Sequence, residues 1–130
     1  MQQSPASIDQ TFALSTDAAT CYSRGEALAN IGCYSEALAH FDRVLKFLPH
    51  HSKAWTFRSA VLLHLGRDQE ALESCDRALS VNQNDPEAWT FRGVALQRLR
   101  QYREAYASYD RALGIQRQSF WRRLSRWIKR

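Results

Sequence analysis

The stretch "AWTFR" occupies residues 54–58 and returns unchanged at residues 88–92, an offset of 34. The same interval separates "FDRVL" at 41–45, "CDRAL" at 75–79 and "YDRAL" at 109–113. It also separates the Glu-Ala pairs at 36–37, 70–71 and 104–105. Three independent markers that share one period, two of them over three copies, define a tandem repeat. Periods of this size belong to stacked supersecondary units.

Each copy reads as two amphipathic helices. In the second copy Ala54, Trp55, Arg58, Val61, Leu62 and Leu65 keep helical spacing, and Gly66-Arg67-Asp68 breaks it. Ala71, Leu72, Cys75, Ala78 and Leu79 then resume at i, i+1, i+4, i+7 and i+8. Gly66 suits a helix C-terminus because it takes a positive φ without a Cβ clash, and Gly32 stands at the matching place in the first copy. The third copy has Arg100 there, which predicts a strained or differently shaped turn. Glu36, Glu70 and Glu104 fall in the first turn of the second helix, where the helix dipole favours a carboxylate.

Bulk properties agree with one helical domain. With 130 residues the chain is long enough for a core, and 45% hydrophobic against 24% charged residues argues against global disorder. Only 5 Gly and 3 Pro are present, too few turn residues for a many-stranded sheet. The net charge of +5 is concentrated at one end. Residues 117–130 hold six of the eighteen basic residues and no acid, so the rest has twelve basic residues against all thirteen acids. The odd count of 3 Cys, without a CxxC pair, points to reduced thiols in a cytoplasmic protein rather than a disulfide framework or zinc site. The N-terminal stretch reads as no secretory signal, and no segment has the roughly 18 apolar residues of a membrane span.

With these residues in place, the sequence resembles the tetratricopeptide repeat family, with units at 18–51, 52–85 and 86–119. That family has large residues at unit positions 4, 11, 17 and 24, small ones at 8, 20 and 27, and often Pro at 32. The first unit supplies Cys21, Leu28, Tyr34 and Phe41, then Gly25, Ala37 and Val44, then Pro49. The second supplies Trp55, Leu62, Asp68 and Cys75, then Ser59, Ala71 and Ala78, with Gln83 in place of Pro. The third supplies Trp89, Leu96, Tyr102 and Tyr109, then Gly93, Ala105 and Ala112, with Arg117 in place of Pro. Cys21, Asp68 and Cys75 depart from the pattern and predict looser packing in the first two units. The resemblance implies an all-α, right-handed superhelical α-solenoid of three helix-turn-helix repeats. A flexible N-terminal arm (1–17) is expected before it and a basic amphipathic capping helix (120–130) after it. Stacking suits such units, because one helix pair cannot bury its apolar face alone and the end of a stack needs a cover.

The family further implies a non-enzymatic scaffold or adaptor that binds a peptide or protein segment in a concave groove lined by the first helix of each unit. Carried onto this chain, the first unit gives Tyr22, Glu26 and Asn30. The second gives Lys53, Thr56, Phe57 and His64, and the third Glu87, Thr90, Phe91, Gln97 and Arg98. Phe57 and Phe91 have an alternative role as packing between helices. Chaperone-binding members hold a C-terminal carboxylate with Lys, Asn and Arg residues. The matching residues here are Tyr22, Glu26, Phe57, Glu87 and Phe91, so no chaperone carboxylate clamp is expected. Arg24, Arg58 and Arg92 recur at a helix junction, where acids such as Asp42, Asp76 or Asp110 are the expected partners.

The C-terminal "SFWRRLSRWIKR" has two readings. Ser119 can N-cap a helix that puts Phe120, Trp121, Leu124, Trp127 and Ile128 on one face, packed as a cap on the third unit. Alternatively Trp121, Arg122, Arg123, Arg126, Trp127, Lys129 and Arg130 make a surface for an anionic membrane or another polyanion, with the protein peripheral at the membrane. Nucleic acid is a weaker candidate, since no base-reading module surrounds the charges. Self-association is a further reading, with the tail of one chain in the groove or on the open end of another. Residue patterns for catalysis, cofactors or metals are not found: His50-His51 lies in a loop, His40 and His64 lack partners at helical spacing, and there is no phosphate-cradling Gly loop.

Overall fold

The computed structural model describes the backbone of residues 4–128 and the side chains of residues 16–128. Six α-helices follow one another: α1 Ser4–Asn30, α2 Tyr34–Phe47, α3 Ser52–His64, α4 Asp68–Val81, α5 Pro86–Arg98 and α6 Tyr102–Ile128. Each packs on its neighbour in sequence, and α1 touches α3 as α3 touches α5. The second helices α2, α4 and α6 make no such contact with one another among the described residues. The stack therefore curves with the first helices on its inner side. This is an all-α helical repeat solenoid.

The turn within each unit is the same in all three copies. Gly32, Gly66 and Arg100 have φ of 86°, 75° and 64°. In each case the positive-φ residue donates its N–H to the carbonyl three residues back, and the next residue donates five back. Gly66 thus bonds Leu63 at 3.1 Å and Arg67 bonds Leu62 at 2.9 Å, while Arg100 bonds Gln97 at 3.0 Å and Gln101 bonds Leu96 at 2.8 Å. Of the two outcomes expected at Arg100, the strained turn is the one found. The shape is kept, and a side chain is held in the left-handed region, which costs about 1–2 kcal/mol for a non-glycine residue.

The repeated "AWTFR" builds the junctions between units. Ala54 and Ala88 are fully buried. Trp55 and Trp89 donate their indole N–H to the carbonyls of Pro49 and Gln83, each at 2.8 Å. Arg58 reaches back to Asp42 at 2.7 Å and across to the Ser74 hydroxyl at 2.5 Å. Arg92 does the same with Asp76 at 2.9 Å and Ser108 at 2.8 Å. The recurring arginines pair with the acid of the preceding unit, as the sequence suggested for Asp42 and Asp76.

The buried residues form a main cluster drawn from α2 to α5 and two smaller ones at the junctions, around Ala54 and Ala88. Phe41, Leu62 and Leu96 are almost completely buried, each stabilising the fold by roughly 1.5–3 kcal/mol relative to exposure. The looser packing expected at Cys75 is not found, because its partner compensates. Where the first and third units oppose Phe41 and Tyr109 to Gly25 and Gly93, the second opposes the smaller Cys75 to Ser59, and both are fully buried.

Both ends differ from expectation. The arm placed at 1–17 is helical from Ser4 onward; residues 1–3 lie outside the described residues. Pro5 sits in the first turn, where a missing N–H costs nothing, and nothing breaks the helix before Asn30. There is also no separate capping helix. Internal units end at Leu48-Pro49 and at Asn82–Asp85, but Arg117-Gln118-Ser119 contains no breaker, so α6 runs unbroken to Ile128 and Ser119 is not an N-cap. Phe120, Trp121, Trp127 and Ile128 are between 53% and 73% exposed, so they do not cover the third unit.

Candidate functional site

The inner surface is made by α1, α3 and α5, and an aromatic floor crosses it. Tyr22 lies 6.0 Å from Phe41 in an edge-on arrangement, 6.0 Å from Phe57 and 4.8 Å from His51. Phe41 and Phe57 stack at 6.1 Å. Phe57 and Phe91 are half-buried against the main core. Phe57 packs between helices and is left partly exposed.

Charge is uneven over this floor. The Tyr22 phenol is pushed well above its ordinary range, by burial first, then by the Glu26 carboxylate one turn away, then by the charge of Glu87. Glu87 belongs to α5 and Tyr22 to α1, two helices that each contact α3. Glu87 and Lys53 are exposed, and Glu26 is half-buried.

Other candidates serve the scaffold. Thr56 is fully buried and donates to Asp85 Oδ2 at 2.9 Å, so it is not presented to a ligand. Thr90 donates to the Pro86 carbonyl at 2.9 Å and stays half-exposed. Gln97 is exposed and accepts from the Tyr109 hydroxyl at 2.8 Å. Arg98 donates to the Leu63 carbonyl at 2.6 Å and to Asp68 at 3.3 Å, tying α5 to the previous unit. His64 stacks flat on Tyr34 at 4.3 Å. Asn30 is exposed at the end of α1.

Sequence reading missed His51. It caps α3, with Nδ1 accepting from the Ala54 N–H at 3.1 Å, and its ring lies against Tyr22. The signal was its place just before a helix start, which a histidine pair in a loop obscures. Of the tail candidates, Trp121, Arg122, Arg123, Arg126 and Trp127 are exposed on α6, and Lys129 and Arg130 lie outside the described residues. Among the described residues no group of three His, Cys, Asp or Glu is placed to hold a metal ion. No helix among them is long and apolar enough to cross a membrane.

Comparison with known proteins follows the same lines. Two family models described as tetratricopeptide repeat match residues 32–95 and 86–119. The chain belongs to the tetratricopeptide repeat family. A search of the curated proteins by sequence finds no match. Solved structures are similar in fold. The Arabidopsis OM64 TPR domain is 24% identical, with a TM-score of 0.76, and the match covers 78% of this chain and 84% of that one. The first TPR of Spaghetti (RPAP3), bound to the HSP90 peptide SRMEEVD, is 22% identical with a TM-score of 0.77, over 89% and 96% of the two chains. The first TPR domain of human RPAP3 is 22% identical with a TM-score of 0.74, over 86% and 92%.

Proposed function

We propose that this chain is a non-enzymatic scaffold that holds a segment of a partner protein on the surface of α1, α3 and α5. What carries the reading is the partly exposed aromatic floor of Tyr22 on α1 and Phe57 on α3, 6.0 Å apart, with Glu26 on α1 and the exposed Glu87 on α5. That arrangement offers apolar anchorage beside two carboxylates, Glu26 and Glu87. Aromatic floors supply affinity and flanking charges set register. The segment best suited to it carries Lys or Arg next to an apolar side chain, with no need for a terminal carboxylate.

Selection of a displayed random-peptide library on the immobilised full chain tests this. Enriched peptides should be basic and apolar. Their affinity should fall about tenfold or more in Glu87→Lys, a loss of about 1.4 kcal/mol or more, and persist in a chain stopped after Gln118. Enrichment of acidic peptides, or binding that depends on the tail and ignores Glu87, would sink the proposal.

A second reading is favoured by one observation. The end of α6 holds four exposed apolar side chains, Phe120, Trp121, Trp127 and Ile128, beside Arg122, Arg123 and Arg126. A helix of this kind suits the boundary of an anionic bilayer, where each basic residue contributes roughly 1 kcal/mol. Co-sedimentation with phosphatidylserine vesicles that weakens with salt supports it; no co-sedimentation at low salt removes it.

A further inference from the structure

Each internal junction of the stack makes contact at the same three places, and the two ends of the molecule expose residues at corresponding positions. Arg58 meets Asp42 and Arg92 meets Asp76. One repeat further out, the corresponding residues are Arg24 on α1 and Asp110 on α6. Both are exposed, and neither has an ion-pair partner among the described residues. His64 stacks on Tyr34, and Arg98 donates to Asp68. Their counterparts at the ends are Asn30, exposed on α1, and Tyr102, 49% exposed on α6. Leu45 and Leu79 are each 8% exposed under the following unit, whereas Leu113 is 56% exposed. In the turn after α1, Ile31 is 74% exposed, whereas its equivalents Leu65 and Leu99 are half-buried.

We infer that a second copy of this chain docks its α1 on the α6 face of the first, head to tail, and repeats the internal junction with Arg24 against Asp110. The occupant follows from charge and shape. A surface that already accepts an arginine-bearing first helix twice in one chain is offered a third time, and the chain carries another arginine-bearing first helix unmatched at its other end, with Thr20 and Cys21 where α3 and α5 have Ala and Trp. The overhangs fit as well. At an internal junction the end of α4 lies next to the start of α5, so the docked α1 runs antiparallel to α6. Both helices are 27 residues long and overrun the unit on the same side. Residues 4–17 contain two acids and no basic residue, and residues 116–128 contain four Arg and no acid. Such a heterologous contact leaves a free end at every step, so it grows as an open chain rather than stopping at a dimer.

The test is sedimentation velocity on the full chain from roughly 10 μM to 1 mM, the range in which a contact of micromolar to millimolar affinity is visible. The expected result is a mass that rises steadily past the dimer with concentration. Arg24→Asp alone and Asp110→Arg alone should each stay monomeric, because each sets like charges against each other. Their equimolar mixture, and the double variant, should associate again. Both residues are exposed, so circular dichroism should show unchanged helix. Leu113→Glu gives an independent block on the α6 face. A monomer at every concentration overturns the inference. So does a mass that saturates at the dimer, or association that survives both single reversals.

Discussion

Gly93 on α5 lies under the ring of Tyr109 on α6, so close that a Cβ at Gly93 would stand 2.5 Å from Tyr109 Cε1. Helix pairs in this family of folds approach at a small residue, and here the approach leaves no room for a methyl group. Gly93→Ala must displace the ring, and the Tyr109 hydroxyl bond to Gln97 with it. We expect a loss of about 1–3 kcal/mol in denaturant unfolding, despite the better helix propensity of Ala. Combining Gly93→Ser with Tyr109→Cys imitates the Ser59–Cys75 pair of the second unit and should lose less than Gly93→Ser alone.

The arginines at the junctions act mainly through their buried partners. Asp42 is half-exposed, so its pairing with Arg58 is screened, and Asp42→Ala should cost less than about 1 kcal/mol. Ser74 is fully buried and receives the same guanidinium. Arg58→Met leaves that hydroxyl without it and should cost about 1–3 kcal/mol by chemical denaturation. Equal losses from the two variants would contradict this division of labour.

Thiol chemistry should distinguish the three cysteines. Cys33 is half-exposed in a turn, and Cys21 and Cys75 are buried. Burial above all pushes the Cys75 thiol up to about 12 from an ordinary 9.0. In the native chain one thiol should react promptly with a maleimide at neutral pH, and all three after denaturation. The unfolded thiol ionises near 9.0 while the native one keeps its proton to about 12. Stability from this group is therefore complete below pH 9 and is lost as pH rises from 9 toward 12. Unfolding midpoints followed across that range should fall less steeply in Cys75→Ala.

The peptide SRMEEVD, seen bound to the first TPR of Spaghetti, should not bind this chain. Its acidic residues and terminal carboxylate would meet Glu26 and Glu87 around Tyr22. Isothermal titration at low salt should give no heat of binding. A micromolar affinity lost on amidating the peptide's C-terminus would contradict the expectation.

Much of the fold could be read directly, because a fixed period forces equivalent residues into equivalent places. The turns at Gly32 and Gly66, the pairing of Arg58 with Asp42, and the burial of Ala54 and Ala88 all follow from the repeat. The ends could not be read that way, since a period says nothing about where stacking stops. Phe120, Trp121, Leu124, Trp127 and Ile128 form an apolar face whether or not something covers it. Only the missing breaker at 117–119 signals that the helix continues. On the inner surface the repeat located the first helices but not the local uses of their side chains. Thr56 is occupied by Asp85 twenty-nine positions away, and Arg98 by the Leu63 carbonyl, contacts that only tertiary packing sets.

The three units stand without a cover, stabilised by their junctions, which leaves the inner surface, the end faces and the tail free for partners. The most direct measurement compares thermal unfolding of the full chain with a chain stopped after Gln118, in dilute solution where both are monomeric. The expected midpoints lie within about 2 °C of each other, corresponding to well under 1 kcal/mol for a chain of this size. A midpoint lower by about 5 °C or more, or aggregation of the shortened chain, would mean that the tail covers the third unit after all.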